Sequence, residues 1–83
     1  MTTTPRRRQS DIAQDEALEE LKPLTEHQRE VLVFFAKGCT VVQTSRLLGI
    51  KDRDVHNERS RIASVLECTM IEAAMTAKTA GWV

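Results

Sequence analysis

The clearest pattern along the chain is a recurrence of apolar residues at helical spacing between residues 24 and 37. Four of them fall on one face of a helix: Val31, Leu32, Phe34 and Phe35. Thr25 before them and Gly38 after them mark the start and the stop of this helix. Since no segment shows the two-residue alternation of a strand, the pattern predicts an all-α fold with these four side chains anchoring the core.

Three capping boxes divide this part of the chain into helices. A capping box places Ser or Thr at the N-cap of a helix and Glu or Gln three residues later. The pairs are Thr25–Gln28, Thr40–Gln43 and Thr69–Glu72. The second pair predicts a helix through Leu48 that Gly49 ends, and a longer helix follows from about Asp52 to Leu66. The third pair predicts a last helix to about Ala80, so residues 24–83 are expected to form four helices.

The chain before residue 24 divides into a basic tail and a short acidic helix. Residues 1–9, with the run Arg6–Arg8, are predicted to be a disordered tail. This tail either keeps the chain soluble or grips phosphates or a minor groove. Residues 10–23 are predicted to form a short acidic helix or linker that ends at Pro23. We expect its weak apolar side to pack on the rest of the domain or to meet a protein partner, because DNA would repel its acidic side.

Composition narrows the function classes. The chain of 83 residues is one small domain, and an aromatic content of 4% favours helices over a sheet. A formal net charge of zero argues against strong non-specific DNA binding. No apolar run is long enough to span a bilayer and no signal peptide is evident, so we expect a cytoplasmic protein without a membrane partner. The two Cys and two His residues match no metal-ligand or catalytic motif, so we expect no metal, cofactor, small-molecule ligand or enzyme activity.

Residues 38–62 have the layout of a helix-turn-helix unit. Gly49 turns the chain between two helices, and Ile50 is expected to fill the angle between them. Three apolar residues would bind the second helix to the core: Val55, Ile62 and Leu66. Helical spacing then turns six polar residues outward: Arg53, His56, Asn57, Ser60, Arg61 and Ser64.

The wider pattern resembles the DNA-binding domain of the LuxR/GerE family of bacterial regulators. The resemblance covers residues 24–83 and rests on four segments in order: LTEHQREVLVFFAKGCT, LLGI, DVHNERSRI and EAAMTAKTAGWV. Region 4 of RNA polymerase σ factors looks similar, but the Glu-Ala-Ala of the last helix fits LuxR/GerE better. The resemblance implies a four-helix domain whose third helix enters the major groove of double-stranded DNA.

Candidate DNA contacts follow from this implied docking. Arg can bridge guanine and Asn can bridge adenine, while the start of the preceding helix can donate to a phosphate. The candidate DNA-binding residues are Thr40, Gln43, Lys51, Arg53, His56, Asn57, Arg59 and Arg61.

Several positions depart from the family pattern. Val41 and Val42 stand where the family has polar or basic residues, and Leu47 stands where it has a charged one. Thr44 replaces an aliphatic core residue, and three recognition-helix positions differ: Asp54, His56 and Glu58. Two interpretations stay open. Either Asp52 and Asp54 favour the helix N-terminus while Glu58 pairs with Arg61 or Arg59, or the surface binds a protein through an apolar patch of Val41, Val42 and Leu47.

The last predicted helix is rich in small residues, which permit close helix contacts. In the LuxR/GerE family this helix is implicated in dimer formation, so the resemblance implies a dimer or partner interface at Met70, Ala73, Ala74 and Ala77. The alternative is that the helix caps the core of its own domain. Trp82 and Val83 are expected to fold back as a hydrophobic plug.

Two functional hypotheses result. The first is a stand-alone transcriptional regulator that binds double-stranded DNA as a homodimer. The second is an interaction module with weak or no DNA binding, which docks on a larger transcriptional regulator as an antagonist (an antiactivator).

Overall fold

The described part of the chain consists of helices joined by short turns. The computed structural model describes residues 9–83, which form α1 (Gln9–Leu21), α2 (Glu26–Ala36), α3 (Val41–Leu48), α4 (Asp52–Leu66) and α5 (Met70–Thr79). No strand occurs within this range, so the all-α prediction is confirmed. Helix α1 begins one residue earlier than predicted, and the rest of the predicted basic tail, Met1–Arg8, lies outside the described residues.

Local sequence sets where three of these helices begin. In α3, the Thr40 hydroxyl accepts a hydrogen bond from the backbone N–H of Gln43 at 3.1 Å, and the Gln43 side-chain oxygen accepts from the Thr40 N–H at 2.9 Å. The same reciprocal pair forms at α2 and α5, so all three predicted capping boxes are confirmed. Each box satisfies two backbone donors that the first helical turn leaves without a partner.

The ends of α3 and α4 both require a left-handed residue. Gly49 follows α3 with φ of 66°, a conformation that glycine adopts at little cost. Glu67 follows α4 with φ of 54°, although a side chain there carries a steric penalty. Because no glycine marks the end of α4, local sequence rules do not predict this second left-handed turn.

The core lies where α2, α4 and α5 meet, and α1 covers one side of it. Val31, Leu32 and Ile62 are fully buried there. Helix α1 contributes Ala17 and Leu21 to the same core. Of the two expectations for its apolar side, packing on the rest of the domain is therefore the one that the structure shows. Phe34 and Phe35, which were predicted to anchor the core, are only half-buried.

Helix α5 corrects the predicted partner interface. Ala73 and Ala77 have no exposed surface, and Ala74 is also buried, because α5 packs against α1, α2 and α4 of the same chain. These three alanines therefore serve the core of the single chain and are not available to a partner. Met70, the fourth predicted interface residue, is half-buried and packs on the same core.

The C-terminus only partly follows its prediction. Trp82 is half-buried and packs on the core, where the Arg29 guanidinium lies 4.5 Å from the centre of its ring. Val83 stays exposed and does not join it. Of the helices within residues 9–83, none has the length and apolar character that crossing a membrane requires.

Candidate nucleic-acid interface

The turn between α3 and α4 is held by contacts at its centre. The backbone N–H of Ile50 donates to the Ser45 carbonyl at 3.0 Å, which closes the chain around Gly49. Ser45 is buried, and its hydroxyl donates to the carboxylate of Asp52 at the start of α4. The two helices are therefore joined by a side-chain hydrogen bond as well as by the turn.

Helix α4 has one fixed face and one open face. Val55 and Ile62 are fully buried and attach the helix to the core. The six residues that helical spacing places on the other face are exposed: Arg53, His56, Asn57, Ser60, Arg61 and Ser64. Such a face can be presented to a groove without unpacking the core.

Arg59 does not belong to this open face, although it was a candidate DNA contact. Its Nη2 donates to the Cys39 carbonyl at 3.1 Å, and its guanidinium lies 4.8 Å from the ring centre of Phe35. Burial lowers the pKa of Arg59, and the nearby Cys39 thiol opposes this shift. These contacts tie α4 to the end of α2 and give Arg59 a structural role, and its contact with DNA stays a prediction. Its position four residues after Val55 and three before Ile62 was the signal for an inward direction.

Two of the acidic residues on α4 have structural partners. Arg61 Nη1 lies 2.8 Å from Glu58 Oε1, as one of the interpretations expected, and Asp52 accepts from Ser45. Within residues 12–83, three exposed cations near this surface have no ion pair: Arg46, Lys51 and Arg53. These unpaired cations lie around the first turn of α4, where the charges of Asp52 and Asp54 oppose them.

Thr40 and Gln43 lie at the start of α3, where a phosphate contact was predicted. Their side-chain oxygens and backbone N–H groups are already bonded to each other in the capping box. The donors left for a phosphate are the Gln43 side-chain N–H groups, the Thr40 hydroxyl proton and the backbone N–H groups of Val41 and Val42. Thr44, the polar residue at an expected aliphatic position, is buried and donates to the Thr40 carbonyl at 2.9 Å.

The apolar patch predicted on α3 does not form as one surface. Val42 and Leu47 are 45% and 62% exposed, but Val41 is half-buried. Val42 and Leu47 are five positions apart, which places them about 140° apart around the helix axis. They lie at opposite edges of the exposed face and do not form a single contact surface.

Sequence reasoning missed a pair of exposed apolar residues on α5. Ile71 and Met75 are 68% and 62% exposed and stand four residues apart, so they lie on the same side of the helix. Their spacing was visible in the sequence. The neighbouring alanines are small, a property that also suits a helix interface, so residue type alone does not favour Ile71 and Met75 over them.

The described residues contain no potential metal-binding site, since no three His, Cys, Asp or Glu side chains in that range are grouped so that they could hold a metal ion. Comparisons with protein-family models, with curated proteins and with solved structures find no match to this chain.

Proposed function

We propose that the chain is a LuxR/GerE-like transcriptional regulator that binds DNA through α4. The observation that carries the proposal is the open face of α4, on which Arg53, Asn57 and Ser60 are exposed while Val55 and Ile62 fix the helix from behind. A helix held in this way presents base-reading side chains in a defined register.

Base reading is assigned to the N-terminal half of α4. Arg53 suits a guanine edge and Asn57 suits an adenine edge, and the two residues stand four apart on the same side of the helix. His56 lies beside them. Lys51 and Arg46 flank this group and are assigned to phosphates, which set the position of the helix without reading sequence.

The number of exposed cations limits the affinity. Arg46, Lys51, Arg53 and Arg61 give the surface around α4 about four cationic contacts with DNA per copy at most, so these contacts should make the logarithm of the binding constant fall with a slope of about −3 to −4 against the logarithm of salt concentration. A dimer would double this dependence. We propose a homodimer that uses Ile71 and Met75, in place of the buried alanines of α5.

Selection from a random DNA library tests the proposal. It is followed by binding titrations from about 50 to about 300 mM salt, roughly a six-fold range of ion concentration. Enrichment of one motif together with a steep salt dependence supports it. Arg53→Ala and Asn57→Ala should each relax preference at one base position by about 1–3 kcal/mol. Ser64→Ala, on the same face near the other end of α4, is the matched control and should keep the preference. Selection of no motif would reject the proposal.

A second candidate function is docking on a larger regulator as an antagonist. The observation that favours it is the reduced positive charge of α4, where Arg59 points inward and Arg61 is paired with Glu58. Its surface would include the exposed Ile71 and Met75. Under this function Ile71→Asp should abolish capture of a single stoichiometric regulator, whereas Arg53→Ala should leave capture unchanged.

A further inference from the structure

An open groove runs between α1 and α5. Ala13, Ala17 and Thr76 lie along it, and Met75 stands at one edge. This part measures about 400 Å³, and a second part of about 380 Å³ continues past Glu20 and Glu72 towards Leu66 and Cys68. The small side chains allow a peptide backbone to approach α1 closely.

The borders of the groove carry negative charge. Glu16 and Glu20 stand four residues apart on α1, and Glu72 faces them from α5. All three are exposed. Two of them act on the thiol of Cys68, whose pKa is raised by burial and then by the charges of Glu72 and Glu20. Charge complementarity therefore favours a basic occupant of this groove.

The chain itself contains a segment with the complementary charge. Arg6–Arg8 is its one run of three consecutive basic residues. Without this run the remaining residues include nine basic and twelve acidic ones, so the acidic excess of the chain is balanced by the tail alone. The run also ends next to Gln9, the first residue of the helix that forms one side of the groove.

We propose that the segment Met1–Arg8 docks in the groove between α1 and α5 of its own chain, with its arginines on the glutamates of the groove. Glu16 lies about 10 Å along the axis of α1 from Gln9, and Glu20 about 16 Å. Eight residues can extend over about 26 Å, and Arg6 with its side chain reaches Glu16 from the start of the helix. The covalent link gives the segment an effective concentration in the millimolar range, which favours it over a separate basic peptide.

The proposed homodimer and the groove share Met75, which stands at the groove edge. Ile71 lies about 140° from Thr76 around α5, so a second copy centred on Ile71 leaves the floor of the groove open. DNA phosphates and the glutamates of the groove would compete for the same arginines. DNA binding should then release the segment.

Trypsin cleavage at Arg6, Arg7 and Arg8 of the full chain tests the docking, with mass spectrometry as the readout. The groove variant carries Glu16→Gln, Glu20→Gln and Glu72→Gln, and glutamine at position 72 still supports the capping box of α5. The matched control carries Glu26→Gln, Glu30→Gln and Glu67→Gln, an equal change of charge outside the groove. Circular dichroism confirms that both variants keep their helices.

Docking predicts that the groove variant is cleaved roughly two- to ten-fold faster than the wild type at low salt, and that the control is not, since each lost ion pair removes a small stabilisation. High salt should remove the difference. Equal cleavage rates in the three proteins would overturn the proposal. Protection that grows with protein concentration would also overturn it, because the occupant would then be the tail of a second copy.

Discussion

The Ser45 hydroxyl donates a hydrogen bond to the Asp52 carboxylate across the turn between α3 and α4. The same hydroxyl lies 2.8 Å from the Val42 carbonyl, but it has one proton, and a charged acceptor binds that proton more strongly. Asp52 also lies in the first turn of α4, where negative charge is favourable. One carboxylate thus links α4 to α3 and stabilises the N-terminus of α4.

Asp52→Ala should lower the free energy of unfolding by about 1.5–3 kcal/mol, the range for a hydrogen bond to a charged group. Urea denaturation followed by circular dichroism measures this change. Asp54→Ala is the matched control, because Asp54 is exposed in the same helical turn and should lose only about 0.3–1 kcal/mol. Equal losses in the two variants would mean that the bond to Ser45 contributes nothing.

Local rules predicted the helices well. The three capping boxes and the stop at Gly49 depend only on residues within one helical turn, so they can be recognised without knowing the fold. The direction of Arg59 and the burial of Ala73 depend on which helices meet. Spacing alone places a residue on a face, but it does not say whether another helix of the same chain covers that face.

Arg59 should behave as a structural residue in spite of its charge. We expect Arg59→Ala to lower the stability by about 1–3 kcal/mol, because it leaves the Cys39 carbonyl without its donor and removes the contact with Phe35. Arg59→Lys should restore little of this loss, since an ammonium group lacks the planar fork of a guanidinium. Arg53→Ala is the control for charge and should leave the free energy of unfolding within about 0.5 kcal/mol of the wild type. A stable Arg59→Ala protein with weakened DNA binding would instead return Arg59 to the DNA-contacting face.

Gly81 lies after the end of α5, close to the side chain of Gln14 on α1. Its φ is 82°, and a Cβ atom added there would lie 3.0 Å from Nε2 of Gln14, which donates to the Ala80 carbonyl. Gly81→Ala should therefore destabilise the chain by more than the roughly 1 kcal/mol expected of the left-handed backbone alone. Gly49→Ala is the control, because open space surrounds its added Cβ. Adding Gln14→Ala to Gly81→Ala should recover part of the loss in a double-mutant cycle, and strict additivity would exclude the predicted contact.

The thiol of Cys68 should react slowly with an alkylating agent. Its pKa is raised by burial and by the charges of Glu72 and Glu20, so the neutral thiol is favoured in the folded chain. The alkylation rate should rise at a higher pH than in the urea-unfolded chain, and Glu72→Gln should shift that rise to lower pH. Peptide mass spectrometry follows Cys68 with Cys39 as the internal reference. The raised pKa of Cys68 also gives a small, pH-dependent contribution to the stability of the folded chain. This contribution is complete below the pKa of the thiol in the unfolded chain, and it is lost as the pH rises through the pKa of the thiol in the folded chain.

The two sides of α5 should respond differently to substitution. Ala73 has no exposed surface, so Ala73→Val adds two methyl groups to a filled core and should cost about 1–3 kcal/mol of stability. Ile71 is mostly exposed, so Ile71→Gln should change the stability by no more than about 0.5 kcal/mol. In sedimentation at increasing concentration, Ile71→Gln should weaken the proposed homodimer, whereas the remaining folded Ala73→Val protein should keep it. Loss of the dimer in Ala73→Val alone would place the interface on the side of α5 that packs within the chain, which its complete burial argues against.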